Sequence, residues 1–136
     1  MNEASAETRS VVIERELPYP PAKIWRALTQ PQLIEEWLMK SDFKPVIGHR
    51  FDLRADWGAV ACQVMTVEPN KTLSYSWGAH GLESVVTWTL TPTRMGTRLR
   101  MVQSGFRPDQ QQAYQGAQHG WPQFLGKLEQ VLARLD

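Results

Sequence analysis

Apolar and polar residues alternate over residues 11–17 and again along much of residues 43–103, and this period of two predicts β-strands. Val11, Ile13 and Leu17 share one side of a first strand. Later segments repeat the pattern, with apolar side chains at Val60, Cys62, Val64, Leu73, Tyr75, Trp77, Val86, Trp88, Leu90, Leu99 and Met101. Glycine, proline and asparagine mark short turns between these segments. The pattern therefore predicts an antiparallel sheet of six or seven strands with one solvated face.

Two short helices are predicted between the first strand and the rest of the sheet. Pro21 suits the first turn of a helix, and Ile24 begins its apolar stripe. Pro31 biases the preceding residue away from helical geometry, so we expect the first helix to end near Thr29. A second apolar face follows at Leu33, Ile34, Trp37 and Leu38. Thr29 and Gln32 have the spacing of a capping box, which predicts that the second helix begins there.

The C-terminal segment carries the most regular helical pattern of the chain. Its apolar residues recur at three- and four-residue spacing, at Trp121, Phe124, Leu125, Leu128, Val131, Leu132 and Leu135. The helix either starts near His119, with Pro122 in its first turn, or continues an earlier helix from about Asp109 that kinks at Pro122. Because no other predicted element is long enough to cover the apolar face of the sheet, we expect the sheet to curve around this helix. The predicted fold class is α+β, with residues 10–136 as one domain after a flexible N-terminus, residues 1–9.

Composition and charge narrow the classes of function. Lys and Arg number 15 and Asp and Glu 14, so the net charge of +1 gives no support for a nucleic-acid or membrane partner. No apolar run is long enough to span a bilayer and the first residues are polar, so we expect a cytoplasmic protein. Cys62 is the only cysteine and its apolar strand favours an inert thiol. His49, His80 and His119 are scattered, and we expect neither a metal site nor a cofactor.

Several short motifs, taken in their order along the chain, resemble one known family. They are Ile13–Arg15, Pro20, Ile24–Trp25, Leu28–Thr29, Pro31 and Trp37, then Val64, Val67, Pro69, Leu73, Tyr75 and Trp77, then Val86, Trp88, Leu90–Pro92, Gly96–Leu99, Ser104–Phe106 and Gly120–Trp121. This order resembles the Hsp90-ATPase-activator-like branch of the START-like (SRPBCC) superfamily. The resemblance implies the helix-grip fold, with an internal cavity between sheet and helix. Relatives include co-chaperone domains, lipid and hormone binders and a few enzymes, so the fold alone does not assign a function.

Six tryptophans in 136 residues are the unusual feature of the composition. Each ring taken singly is more typical of a core, but so many rings together favour an irregular, aromatic-lined space beneath the long helix. We predict that this cavity is lined by Arg15, Trp37, Leu53, Tyr75, Trp77, Val86, Trp88, Met101, Gln103, Trp121 and Leu125. Such a lining is typical of a site for a small hydrophobic molecule, aromatic or lipid-like, because a few polar groups in an apolar wall orient a ligand. The predicted function is binding of that molecule without catalysis.

Alternatives remain at the level of residues and of function. Arg15 lies on an otherwise apolar side, so it either pairs with a carboxylate such as Glu68 or Glu83 or anchors an anionic or phenolic ligand group. A cyclase- or hydratase-type enzyme would need a general acid or base, for which Glu83, Asp56 and Arg15 are the candidates. A chaperone-linked interaction domain, with an Hsp90-type partner, would need an exposed patch. A homodimer is compatible with all three functions.

Overall fold

The computed structural model describes residues 8–135 as one seven-stranded antiparallel sheet and three helices. The elements are β1 (Arg9–Leu17), α1 (Pro21–Thr29), α2 (Pro31–Trp37), β2 (Lys40–Ser41), β3 (Arg50–Ala55), β4 (Gly58–Glu68), β5 (Thr72–Ala79), β6 (Leu82–Pro92), β7 (Thr97–Phe106) and α3 (Gln111–Arg134). The strand order is β1-β7-β6-β5-β4-β3-β2. The curved sheet wraps around α3, so the predicted α+β helix-grip class is confirmed. Most of the predicted flexible N-terminus, residues 1–7, lies outside the described residues.

The core fills the space between the concave face of the sheet and the second half of α3. The helix buries Trp121, Leu125, Leu128, Val131 and Leu132. Facing them, alternate residues of the long strands are buried, including Leu73, Val86, Trp88, Leu99 and Met101. This alternation follows from the pleat, which sends successive side chains to opposite faces. The ion pair between Arg134 and Glu36 joins the end of α3 to α2.

The two short helices break where the sequence predicts. Gln30 is extended, with φ −93° and ψ 121°, and Pro31 is the first residue of α2. The predicted capping box is wrong, however. The hydroxyl of Thr29 donates to the carbonyl oxygen of Trp25 at 2.7 Å, because Thr29 is still helical and bonds back along α1. Gln30 takes the N-cap position, where its carbonyl accepts from the N–H groups of Leu33 and Ile34.

Helix α3 consists of two halves with different surroundings. It begins at Gln111 and continues through Pro122, so the prediction of an early start near Asp109 is the one that the structure supports. Between Gln111 and Gly120 no residue is buried, whereas every buried residue of the helix follows from Trp121 onward. Proline has no N–H, so the carbonyl of Gln118 lacks its usual helical donor. The first half of α3 therefore covers one end of the curved sheet but does not fill the space beneath it. We call this end, beneath residues 111–120, the open end.

The β6–β7 hairpin is fitted tightly to the end of β1 at Gly96. A Cβ atom added there would lie 2.8 Å from the nitrogen of Tyr19 and 2.9 Å from Cα of Pro18, and would overlap the carbonyl oxygen of Leu17. The hydroxyl of buried Thr97 donates to the carbonyl oxygen of Tyr19 at 2.7 Å. The backbone contacts at this turn require glycine, and they fix the register of β7, which carries Gln103.

Candidate functional site

Four tryptophan rings form a continuous chain through the interior. The ring centroids of Trp37 and Trp88 are 5.6 Å apart, those of Trp88 and Trp121 are 5.7 Å apart, and those of Trp121 and Trp77 are 5.3 Å apart. Phe124 extends the chain, with its centroid 5.6 Å from that of Trp121. Edge-to-face and tilted contacts of this kind stabilise a core beyond the burial of area. The central part of the hollow is therefore occupied by side chains.

A cavity of about 180 Å³ remains at the open end, beneath the first half of α3. Its lining is mostly aromatic or small and consists of Met39, Trp57, Trp77, Leu82, Gln103, Phe106, Ala113, Gly116, Ala117, Gly120, Trp121 and Phe124. The space exists because α3 presents only small residues at 113, 116, 117 and 120, while the sheet opposite presents large rings. A Cβ added at Gly116 would meet nothing within 4 Å. The cavity is the strongest candidate for a functional site.

The cavity opens into a wider groove of about 650 Å³ between α3 and the ends of strands β4, β5 and β6. Trp57, Trp77, Leu82, Ala113 and Gly116 line both spaces. Trp57, at the tip of the β3–β4 hairpin, is 58% exposed. The groove rim is polar and includes His80, Asp109, Gln110 and Gln112. A molecule in the cavity thus has an exit toward solvent along one side of α3.

Gln103 contributes an amide to the cavity wall, and the residue is 2% exposed. The indole N–H of Trp121 donates to Oε1 of Gln103 at 2.7 Å. Nε2 of Gln103 donates to the hydroxyl of Ser84 at 3.0 Å, and that hydroxyl donates to the carbonyl oxygen of Trp77 at 2.9 Å. Trp121, Gln103 and Ser84 each donate a hydrogen bond to the next acceptor in this series, which we call the relay. The relay holds the side-chain amide of Gln103 in one orientation.

Three of the eleven residues predicted for the cavity line it: Trp77, Gln103 and Trp121. The structure places seven others in the packed core, each at most 4% exposed: Trp37, Leu53, Tyr75, Val86, Trp88, Met101 and Leu125. They do not line the cavity because neighbouring rings and chains fill the space around them. The two indole N–H groups among them are satisfied within the protein, by the carbonyl of Ala27 for Trp37 at 2.8 Å and by the Tyr75 hydroxyl for Trp88 at 3.0 Å.

Arg15 lies away from the cavity, on the face of β1 that α3 crosses. Its Nε is 3.5 Å from a carboxylate oxygen of Glu129, and its Nη1 donates to the carbonyl oxygen of Glu14 at 3.0 Å. The ion-pair alternative therefore describes Arg15, although the partner comes from α3 and not from Glu68 or Glu83. The pairing follows from the topology, since the periodicity of α3 brings Glu129 to the edge of its apolar stripe.

In the part of the chain that the structure describes, groups for acid–base or metal chemistry are not gathered at the cavity. Glu83 and Asp56, the carboxylates considered for catalysis, are exposed and line neither space. Burial and, secondarily, the charge of Asp52 raise the pKa of the Cys62 thiol to about 12, which keeps it protonated. Burial also raises the pKa of Tyr75 above its usual range. Within residues 8–135, no three His, Cys, Asp or Glu side chains cluster as metal ligands would.

The residues that the sequence reasoning missed belong to the open end. Phe106, Phe124 and Trp57 add rings to the wall, and the small residues of α3 leave the space. A signal for the second group is present in the sequence, because Ala113, Gly116, Ala117 and Gly120 recur at three- and four-residue spacing. Read with the large residues from 121 onward, that spacing indicates a helix that packs closely in one half only.

Comparison with known proteins gives the family. The family model described as "Activator of Hsp90 ATPase homolog 1-like protein" matches residues 18–133. The crystal structure of protein MLL2253 from Mesorhizobium loti is 65% identical, covers 94% of this chain and 99% of its own, and superposes with a TM-score of 0.91. The solution structure of BH1534 from Bacillus halodurans is 26% identical over 91% of this chain and 96% of its own, with a TM-score of 0.81.

A further solved structure, DynU16, is a protein from the dynemicin biosynthetic locus. It is 25% identical over 92% of this chain and 47% of its own, with a TM-score of 0.83. No functionally curated protein matches the sequence significantly. Among the described residues, no helix has the length and apolar character needed to cross a membrane. The match over residues 18–133 and the close relative from Mesorhizobium loti together establish that this chain belongs to the family of activator of Hsp90 ATPase homolog 1-like proteins.

Proposed function

We propose that the protein binds a small, flat, apolar molecule in the cavity beneath the first half of α3, without converting it chemically. The observation that carries the proposal is the wall itself. Trp77, Trp121, Phe106 and Phe124 surround a space that small residues of α3 leave open, with one buried amide facing it. Sites of this composition bind ligands by shape and ring contacts and orient them by a few polar groups.

The size of the space supports a ligand of one or two rings. An apolar protein cavity of roughly 150 Å³ holds benzene, and this one measures about 180 Å³. The groove beside it would accommodate a substituent that reaches solvent past Trp57. The likeness to a protein from a biosynthetic locus supports a metabolite as the ligand.

A homodimer and an Hsp90-type partner stay predictions. We also propose a cytoplasmic location, which suits the single buried thiol of Cys62.

The test compares two glycine variants of α3 with the wild-type protein. Gly116→Leu places a side chain in the cavity, whereas Gly126→Leu places the same side chain on an exposed part of the helix where a Cβ also meets nothing within 4 Å. Both remove a helical glycine, so their intrinsic effects on the helix are equal. The probe is α-methylstyrene, a planar apolar aromatic.

We expect α-methylstyrene to raise the melting temperature of the wild type and of Gly126→Leu, but not that of Gly116→Leu, because binding to the folded state stabilises it by mass action. In NMR spectra of the wild type, the indole N–H signal of Trp121 should shift with the probe and that of Trp37 should not. Equal binding by Gly116→Leu, or no binding by the wild type to this probe and a panel of one- and two-ring aromatics, would refute the proposal.

A further inference from the structure

We propose that Gln103 makes the site selective for ligands with a hydrogen-bond acceptor, so that the ligand class is an aromatic carbonyl compound rather than a pure hydrocarbon. The inference rests on the proposed function and adds the chemistry of the ligand to it.

The orientation of the amide follows from the chemistry of its neighbours. An indole N–H only donates, so the Gln103 atom that faces Trp121 at 2.7 Å is the carbonyl oxygen. The hydroxyl of Ser84 donates its one hydrogen to the carbonyl oxygen of Trp77. The hydroxyl oxygen must therefore accept from Gln103, and the Gln103 atom that faces Ser84 is the amide nitrogen. Reversing the amide would set two donors against each other at Trp121. The relay thus excludes the flipped amide.

One hydrogen of Nε2 remains after this pairing. A primary amide nitrogen carries two hydrogens, and Ser84 takes one of them. Within residues 8–135 the second has no protein acceptor. Gln103 is 2% exposed and lines the cavity, so the cavity is the space in which an acceptor for this hydrogen would lie. A buried donor without an acceptor destabilises the folded state, because its hydrogen bond to water is lost and not replaced. An acceptor atom of a bound ligand would remove that cost.

A second donor on the same wall supports the assignment. The indole N–H of Trp77, a residue 9% exposed, has no acceptor among the described residues. Oε1 of Gln103 keeps a free lone pair, but under-used carbonyl oxygens are tolerated in protein interiors far better than unpaired N–H groups. The cavity wall therefore has N–H donors to which a ligand could offer hydrogen-bond acceptors. A carbonyl oxygen conjugated to a ring would accept such a hydrogen bond, and the flat ligand would lie against the wall that Trp77 and Trp121 form together.

The experiment uses two probes of the same shape. Acetophenone and α-methylstyrene have nearly the same size and shape and differ in one position, where a carbonyl oxygen replaces a methylene group. The affinity ratio of the two probes is measured for the wild type and for Gln103→Met, which keeps the side-chain length and lacks the donor. The difference in hydration between the two probes enters both affinity ratios equally. Dividing the wild-type ratio by the Gln103→Met ratio therefore leaves only the contribution of the protein.

We expect the ratio in favour of acetophenone to be about 3- to 10-fold higher in the wild type than in Gln103→Met, as one neutral hydrogen bond would give. Trp37→Phe, which removes an indole N–H far from the cavity, should keep the wild-type ratio. If Gln103→Met does not fold, NMR of the wild type replaces it. Acetophenone should then shift the Gln103 side-chain amide hydrogens, and α-methylstyrene should leave them nearly in place.

The outcomes separate this inference from the proposed function. If both probes bind and the ratios of wild type and Gln103→Met agree, or if both probes shift the amide hydrogens equally, the acceptor selectivity is overturned and the apolar site stands. If neither probe and no member of the panel of one- and two-ring aromatics binds to the wild type, the site itself is refuted, and the selectivity with it.

Discussion

Replacing Trp121 by phenylalanine tests the relay that holds the site. The indole is 3% exposed and is the hydrogen-bond partner of Oε1 of Gln103. A phenyl ring keeps edge contacts to Trp77, Trp88 and Phe124 but donates no hydrogen bond. The substitution therefore removes one interaction and a little volume, and it leaves most of the packing in place.

The expected cost can be worked out from these two losses. Leaving the Gln103 carbonyl buried without its donor costs about 1–3 kcal/mol of unfolding free energy. The smaller ring leaves a void of roughly 35 Å³, which at about 24 cal/mol per Å³ adds about 0.8 kcal/mol. The sum is about 2–4 kcal/mol. In a Gln103→Met background no carbonyl is orphaned and the indole N–H of Trp121 already lacks its acceptor, so Trp121→Phe should cost about 1 kcal/mol or less there.

Equilibrium urea denaturation of the four proteins in this cycle measures the coupling, provided that the slope with urea is the same for each. Trp57→Phe serves as the control for a tryptophan outside the relay, because its ring is 58% exposed and its loss should cost less than about 0.5 kcal/mol. If Trp121→Phe costs the same with and without Gln103, the hydrogen bond does not stabilise the site and the reasoning fails.

Three further predictions concern positions outside the relay. Gly96→Ala should destabilise by about 3 kcal/mol or more, because its Cβ meets backbone atoms, whereas Gly81→Ala, at φ +86° but in open space, should cost about 1–2 kcal/mol; thermal unfolding compares them. Between about pH 9 and 10 the unfolded thiol of Cys62 ionises while the folded one, with a pKa of about 12, does not. The free energy of unfolding should therefore fall as the pH rises above about 9, by up to about 1.4 kcal/mol per pH unit. In urea titrations, Cys62→Ala should not show this dependence on pH. Arg15→Met should change stability by less than about 1 kcal/mol and leave α-methylstyrene affinity unchanged, because its pair with Glu129 is partly exposed; a calorimetric loss of affinity would contradict this.

The architecture is predictable from the sequence because local patterns determine it. The period of two in β4 to β7, the break at Pro31 and the apolar stripe from Trp121 onward are each visible without coordinates. The capping box at Thr29 was wrong because one hydroxyl had two acceptors within reach, and the bond back to Trp25 competes with the cap. Such choices depend on small differences in energy that a pattern does not contain.

The site was only partly predictable because a cavity is a property of packing between distant segments. The pattern correctly gave Trp77, Gln103 and Trp121 to the concave side. It could not distinguish them from Trp88 on β6 and Trp37 on α2, which are also buried but are enclosed by neighbouring rings. The space depends on which large residues face which small ones, and residues far apart in sequence decide that.

The chain of four indoles has an optical consequence. With centroids 5.3 to 5.7 Å apart, the electronic transitions of adjacent rings are coupled, and excitation passes readily from one ring to the next. Light absorbed at Trp37, the buried last residue of α2, can therefore be emitted from Trp77 at the cavity. A single quencher bound beside Trp77 would darken the emission of rings that it never touches. The tryptophan emission of the whole chain of rings should therefore depend on whether the open end is occupied.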